Sequence, residues 1–148
     1  MNKLRGIGLL ELMLALAIIS ILLVAATRYF ASTDSSRKVN AAADMLQMVI
    51  NASEDYRMDK NSYKDISLDN LKSLLPSDFK ASTGNPWGGG ISVEPTDSGA
   101  SVTLTMTKVP VKDGLSLTEL MAKKKVTDGK CDATGTATTC TYTGKYSS

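Results

Sequence analysis

The stretch "IGLLELMLALAIISILLVAA", residues 7–26, limits what this chain can become more than any other part of it. It is roughly twenty residues long, enough at about 1.5 Å rise per residue for a helix to cross a hydrocarbon layer of about 30 Å. Lys3 and Arg5 precede it, and Arg28 is the nearest cation beyond it. That asymmetry places the short N-terminus on the cytoplasmic side and everything after Arg28 on the exported side. No second run of this kind follows, so one span and one exported domain are expected. A single carboxylate, Glu11, interrupts the apolar run. An acid at the middle of a bilayer costs roughly 2.5–3.5 kcal/mol even on lenient insertion scales, so it marks function and calls for a partner.

Three readings compete for this segment. It is a signal anchor whose Glu11 snorkels to water, or a secretory signal peptide with small residues Val24-Ala25-Ala26 at its cleavage site and a soluble product starting at Thr27. The third reading rests on "RG" followed by "IGLLE", which resembles the class III signal of type IV pilins and their pseudopilin relatives. Such signals have a short basic leader ending in Gly, then an apolar residue, with Glu at the fifth position after the cut. The resemblance covers residues 2–26, with cut site, acid and apolar run in register.

The resemblance implies cleavage between Gly6 and Ile7 by an inner-membrane aspartyl prepilin peptidase, which also methylates the new amine of Ile7. It implies an α+β fold, a long N-terminal helical spine packed against a small antiparallel sheet head. The expected divisions are a leader at 1–6, a helix at 7–58 (membrane and filament core 7–27, amphipathic 28–58) and a head at 59–148. The implied role is structural: a subunit held in the inner membrane as a single-pass precursor, then moved by a platform protein and an assembly ATPase into an extracellular helical homopolymer. Adhesion, motility and DNA uptake or transfer are the tasks such filaments take on. The alternative within the family is a pseudopilin of a type II secretion system.

Glu11 then acquires a partner. A new ammonium on Ile7 is as costly in hydrocarbon as the carboxylate, and in a bundle of helices one copy's Ile7 amine meets another's Glu11. Such a pair interacts far more strongly in a low-dielectric interior than in water, but both groups are desolvated. The pair therefore sets register between subunits more than it holds them together.

Composition narrows the chemistry. Cations number 17 and acids 15, for a net charge of +2. Both extra positives, Lys3 and Arg5, belong to the expected leader, and its removal takes 148 residues to 142 with the charge near balance. Strong electrostatic binding of nucleic acid is not indicated. Only Lys123, Lys124 and Lys125 suggest DNA, against the simpler reading of a solvated helix end matched to its dipole. The chain has no His, which excludes His-based triads and His-dependent metal sites. Asp55 and Asp59 lie one helical turn apart, but with Arg57 and Lys60 beside them they read as a solvated face rather than a catalytic dyad. Asp128 and Asp132 are a thin oxygen set for calcium. No enzyme, metal or cofactor is expected.

Two cysteines, Cys131 and Cys140, bracket "DATGTATT". Export favours a disulfide closing this Thr-rich loop; free thiols or a two-ligand metal site are the alternatives, and zinc is poorly supported without His. A bridge here contributes on the order of 2–3 kcal/mol.

No Pro or Gly occurs between Gly8 and Pro76. Val39, Ala42, Leu46, Val49, Ser53 and Tyr56 recur at three-then-four spacing, widened by Ala43 and Ile50, so the helix continues as an amphipathic segment. Its weakest part is "STDSSRK", residues 32–38, whose short polar side chains compete with the backbone. Many pilins carry a Pro where this chain has Arg28, so no Pro kink is expected. A short helix is expected at 68–75, with Ser67 as cap and Pro76 as stop. The segment "STGNPWGGG" reads as a turn cluster, not a phosphate loop, because no Lys-Ser/Thr pair follows and no helix opens there. Its Asn85-Pro86-Trp87-Gly88 resembles a turn leading into the sheet of some pilins and major pseudopilins, and Trp87 is expected to pack on helix or sheet. Strands are expected at 90–93 and 101–109, joined by the turn "EPTDSGA". A helix follows in "GLSLTELMAKKK", with Ser116 and Glu119 as capping box. A last strand is expected near 139–143.

Overall fold

The computed structural model of the chain describes residues 8–77, 79, 84–133 and 139–147. They form helices α1 (Leu9–Lys60), α2 (Leu68–Leu71) and α3 (Val111–Ala122), and strands β1 (Ile91–Thr96), β2 (Ser101–Pro110), β3 (Val126–Asp132) and β4 (Thr139–Tyr146). The class is α+β, a long N-terminal helix with a small antiparallel sheet, matching the type IV pilin fold. Contacts divide the chain into two compact units, Met1–Ser35 and Ser36–Ser148.

With no Pro or Gly to interrupt it, α1 continues to Lys60. Its expected first residue, Ile7, lies outside the described residues. Asn61 ends the helix in the left-handed region (φ 56°), its N–H donating to the Arg57 carbonyl at 2.6 Å, as Asn at a helix C-terminus often does. Residues 32–38 are helical throughout. Thr33 illustrates how a hydroxyl is accommodated there, its Oγ1 donating to the Tyr29 carbonyl at 3.0 Å.

In the second unit the buried face of α1 is Val39, Ala42, Ala43, Leu46, Val49, Ile50, Ala52 and Ser53. This is the stripe read from the spacing, with Ala52 added and Tyr56 half-buried. It belongs to one apolar cluster with Tyr63, Ile66, Leu71, Val93, Leu104, Met106, Leu117, Met121 and Tyr142.

The sheet order is β1-β2-β4-β3, all pairs antiparallel. Register stacks the inward side chains in rows. Ile91 pairs with Met106, Met106 with Tyr142 and Tyr142 with Cys131; two rows along, Val102, Tyr146 and Val126 line up the same way, with exposed Pro95 ending that row at the β1 edge. Between these rows Leu104 faces Gly144, where a Cβ would come within 2.7 Å of the Tyr142 hydroxyl and 2.6 Å of Val126. Gly144 is therefore the vacancy into which the Tyr142 ring leans. The outward rows are hydroxylic and charged, with Thr105 opposite Thr143 and Thr103 opposite Lys145.

The two edge strands are both interrupted. β1 contains Pro95, and β3 carries an irregularity between Thr127 and Lys130 where Asp128 takes φ 53°.

Four expectations need correction. α2 stops at Leu71 instead of 75: Leu74 and Leu75 both return N–H bonds to the single Leu71 carbonyl, so the chain tightens into turns before Pro76. The link between the first strands is shorter than "EPTDSGA", because Glu94, Pro95 and Thr96 continue β1 and only a 3-10 turn, Asp97–Gly99, remains. Asp97 holds it by accepting from Ser101 Oγ (2.7 Å) and by pairing with Lys145; both contacts pull its carboxyl below the usual range. The capping box fails as well. α3 begins straight after Pro110, so Ser116 is inside the helix, with its hydroxyl on the Lys112 carbonyl at 3.4 Å. The last strand extends to Tyr146, and β3 was not foreseen at all.

Two buried tyrosines give the core a pH limit. Burial pushes both Tyr142 and Tyr146 up to about 12, and Tyr146 also donates to the Glu54 carboxylate of α1, which further disfavours its ionisation. The unfolded chain releases these protons near 10 while the folded chain keeps them, so stability falls as pH rises from about 10 to about 12. Denaturant unfolding across this range should show that decline, and Tyr142→Phe should flatten part of it by on the order of 2 kcal/mol. Near neutral pH the same substitution should cost little, because the Tyr142 hydroxyl has no partner among the described residues.

Candidate functional site: the acid in the apolar helix and the loops that hold the sheet

Gly8 opens the N-terminal site. Its carbonyl accepts from the N–H groups of Glu11 (3.0 Å) and Leu12 (3.1 Å), which starts α1 and puts Glu11 in its first turn. An acid there complements the helix dipole. The Glu11 side chain is exposed between exposed Leu10 and Leu12, and no ion-pair partner for it exists among the described residues. Gly6 and Ile7, the expected cleavage pair with its methylated amine, lie outside the described residues.

The other polar side chains of this stretch turn inward on the backbone. Ser20 Oγ donates to the Leu16 carbonyl at 2.7 Å and Thr27 Oγ1 to the Val24 carbonyl at 2.9 Å. Both hydroxyls are thus satisfied without water, as hydrocarbon requires. Glu11 has no such outlet. Around it the apolar side chains are exposed, from Leu9 at 77% to Ile21 at 70%.

In the second unit, Asn85 organises the "NPWG" turn. Its Oδ1 accepts from the N–H groups of Trp87 and Gly89, both at 3.0 Å, and its Nδ2 donates to the Thr107 carbonyl of β2 at 2.7 Å. Gly89 is needed at that crossing, since a Cβ would lie 1.9 Å from the Thr107 oxygen. Trp87 is half-buried against the core and donates its Nε1–H to Asp113 Oδ2 at 3.0 Å. Asp113 is buried in the first turn of α3, so the turn is tied to β2 at one end and α3 at the other.

Cys131 and Cys140 form a disulfide between β3 and β4, with Cα atoms 5.4 Å apart. The bridge lies under α3 at Gly114, where a Cβ would be 2.0 Å from Cys131 Sγ. The sequence reading identified the bridge but missed Asp113 and Gly114, which accept the tryptophan and seat the sulfurs. The Asp113-Gly114 pair three residues after Pro110 was the available signal, since Gly inside a helix is unfavourable without a packing reason.

The remaining acidic candidates are all exposed. Asp55 and Asp59 are exposed, and Asp59 pairs with Lys60 at 3.1 Å. Asp128 lies in the irregular part of β3, and Asp132 pairs with Lys130 at 3.4 Å. No group of three or more potential metal ligands occurs among the described residues. Lys123 is the C-terminal cap of α3, with Lys124 and Lys125 in the turn after it.

Residues 1–27 match the family model described as the prokaryotic N-terminal methylation motif. Neither the curated proteins nor the solved structures gave a match. The motif is the class III signal read from "RG" and "IGLLE", and with the apolar helix it supports the resemblance to type IV pilins and pseudopilins. It likewise supports a prepilin-peptidase substrate anchored in a membrane as a precursor. The pilin class is structural rather than catalytic.

Two substitutions test the loop architecture. Asn85→Ala strands three backbone groups and should cost on the order of 2–3 kcal/mol in denaturant unfolding, with a red shift of Trp87 emission. Gly114→Ala should cost roughly 1–3 kcal/mol by overpacking the disulfide seat, and reducing the bridge should remove part of that penalty.

Proposed function

We propose that the chain is a prepilin, cut between Gly6 and Ile7, methylated on the Ile7 amine and assembled from the inner membrane into an extracellular type IV pilus. The observation that carries this reading is the methylation motif lying in register with Glu11 at the start of a fully exposed apolar helix. Such a helix leaving the bilayer exchanges lipid for other helices, and head-to-tail contacts that do not close into a ring generate an open filament. Within it, the Glu11 carboxylate of one copy meets the Ile7 ammonium of another. The partners are further copies of the chain, the prepilin peptidase, and the platform protein with its ATPase.

A second reading, the pseudopilin, is favoured by Asn85-Pro86-Trp87-Gly88 and its position at the entrance to the sheet. A surface filament lost on deletion of the gene, with exoprotein secretion intact, selects the pilus. Lost secretion without loss of a surface filament selects the pseudopilin.

Intact-mass measurement of the cell-derived protein tests processing. The expected product begins with methylated Ile7; one beginning at Thr27 establishes a secreted soluble protein, and one retaining residues 1–6 removes the ammonium on which the pairing depends. Glu11→Gln should leave cleavage and export normal but reduce filament incorporation by at least about tenfold, if losing one buried charge strands the other. Unchanged incorporation refutes the pairing.

A further inference from the structure

Among the chain's aromatic side chains only Tyr29 and Phe30 are exposed, at 71% and 72%. Tyr63, Tyr142 and Tyr146 are buried, while Tyr56, Phe79 and Trp87 are half-buried. The exposed two are adjacent, edge to face with ring centroids 6.4 Å apart, and two residues separate them from an apolar run that contains no aromatic residue. Arg28 precedes them and the polar residues 32–38 follow.

We propose that Arg28, Tyr29 and Phe30 form a collar that seats in the phospholipid headgroup layer on the exported side and fixes how deeply α1 sits in the bilayer. This rests on the reading of the chain as a membrane-spanning precursor. Spacing supports it: from Gly8 to Tyr29 a helix rises about 31 Å, one hydrocarbon thickness. Chemistry supports it too. A tyrosine presents an apolar ring and a polar tip, which suits the boundary between acyl chains and water. An arginine lays its stem along the chains and lifts its guanidinium to the phosphates. On a helix, consecutive residues point about 100° apart, so the three side chains encircle much of the stem instead of marking one face. Directly inside the collar, Thr27 has already turned its hydroxyl onto the backbone. The chain therefore changes from self-satisfied to water-seeking within about one turn. The competing occupant is a neighbouring helix, which would use one side of the stem rather than a ring around it.

The test uses the full chain in phosphatidylcholine–phosphatidylglycerol vesicles, with lipids brominated either near the headgroup or near the chain terminus as quenchers. Parent protein, carrying Trp87 alone, provides the background to subtract, and its unchanged emission shows that the second unit is folded. Tyr29→Trp should be quenched about twofold more by shallow than by deep bromines, and Ile18→Trp should show the reverse order. If Trp at 18 is quenched deeply while Trp at 29 is quenched equally at both depths or not at all, the collar is overturned and the span survives. If neither position is quenched, the spanning reading falls and the collar with it.

Discussion

The described apolar side chains from Leu9 to Phe30 are exposed in a single copy of this chain, and that unmet burial is the constraint on which the first unit depends. Each large aliphatic residue left in water forgoes on the order of 1.5–3 kcal/mol, and more than ten of them lie exposed between Leu9 and Val24. The first half of α1 is therefore never a finished structure by itself. It needs hydrocarbon or other helices around it at every stage, and the hydroxyls of Ser20 and Thr27, folded back on their own turns, suit either surrounding. Glu11 fits neither without a counter-charge, so it is the one position in the stem where the identity of the surroundings matters chemically.

The second unit solves its burial problem internally. α1 contributes a face of small and branched side chains, Ala42, Ala43, Val49 and Ile50 among them, to a core shared with the inward rows of the sheet. Three fastenings then hold the periphery: Asn85 and Trp87 bind the turn to β2 and α3, the disulfide closes β3 onto β4 beneath Gly114, and Tyr146 reaches from the last strand to Glu54. The first and last join segments distant in sequence, the disulfide joins consecutive strands nine residues apart, and each depends on a buried polar atom or a missing side chain.

That dependence explains what could be read in advance. The long helix, its buried stripe and the alternating strand "SVTLTMTKV" were legible because each is a repeating pattern over many residues. The N-terminal signal was legible because cut site, acid and apolar run fall in one register. β3 was not, because "VTDGKCD" has no apolar alternation and is a strand only by pairing with β4. The start of α3 was misread since Ser116 and Glu119 satisfy a local capping rule, while tertiary contacts at Asp113 and Gly114 draw the helix back to Pro110. Of the site itself, Glu11 and the cysteines stood out as residue types; the acceptor for Trp87 and the seat for the sulfurs are relations between places far apart, and spacing does not encode them.

The interrupted margins of the sheet have a consequence under the filament reading proposed above, in which copies of the chain gather at high local density. A strand with free N–H and C=O groups along its outer side recruits further strands, and identical copies held side by side are the worst case. Pro95 lacks the N–H that β1 would need to continue such a ladder, and the left-handed kink at Asp128 bends β3 out of line for the same purpose. Uncontrolled fibre growth through the backbone is thereby closed off. On that proposed reading, association between copies is left to the greasy stem, where a membrane can withhold it until the stem is extracted.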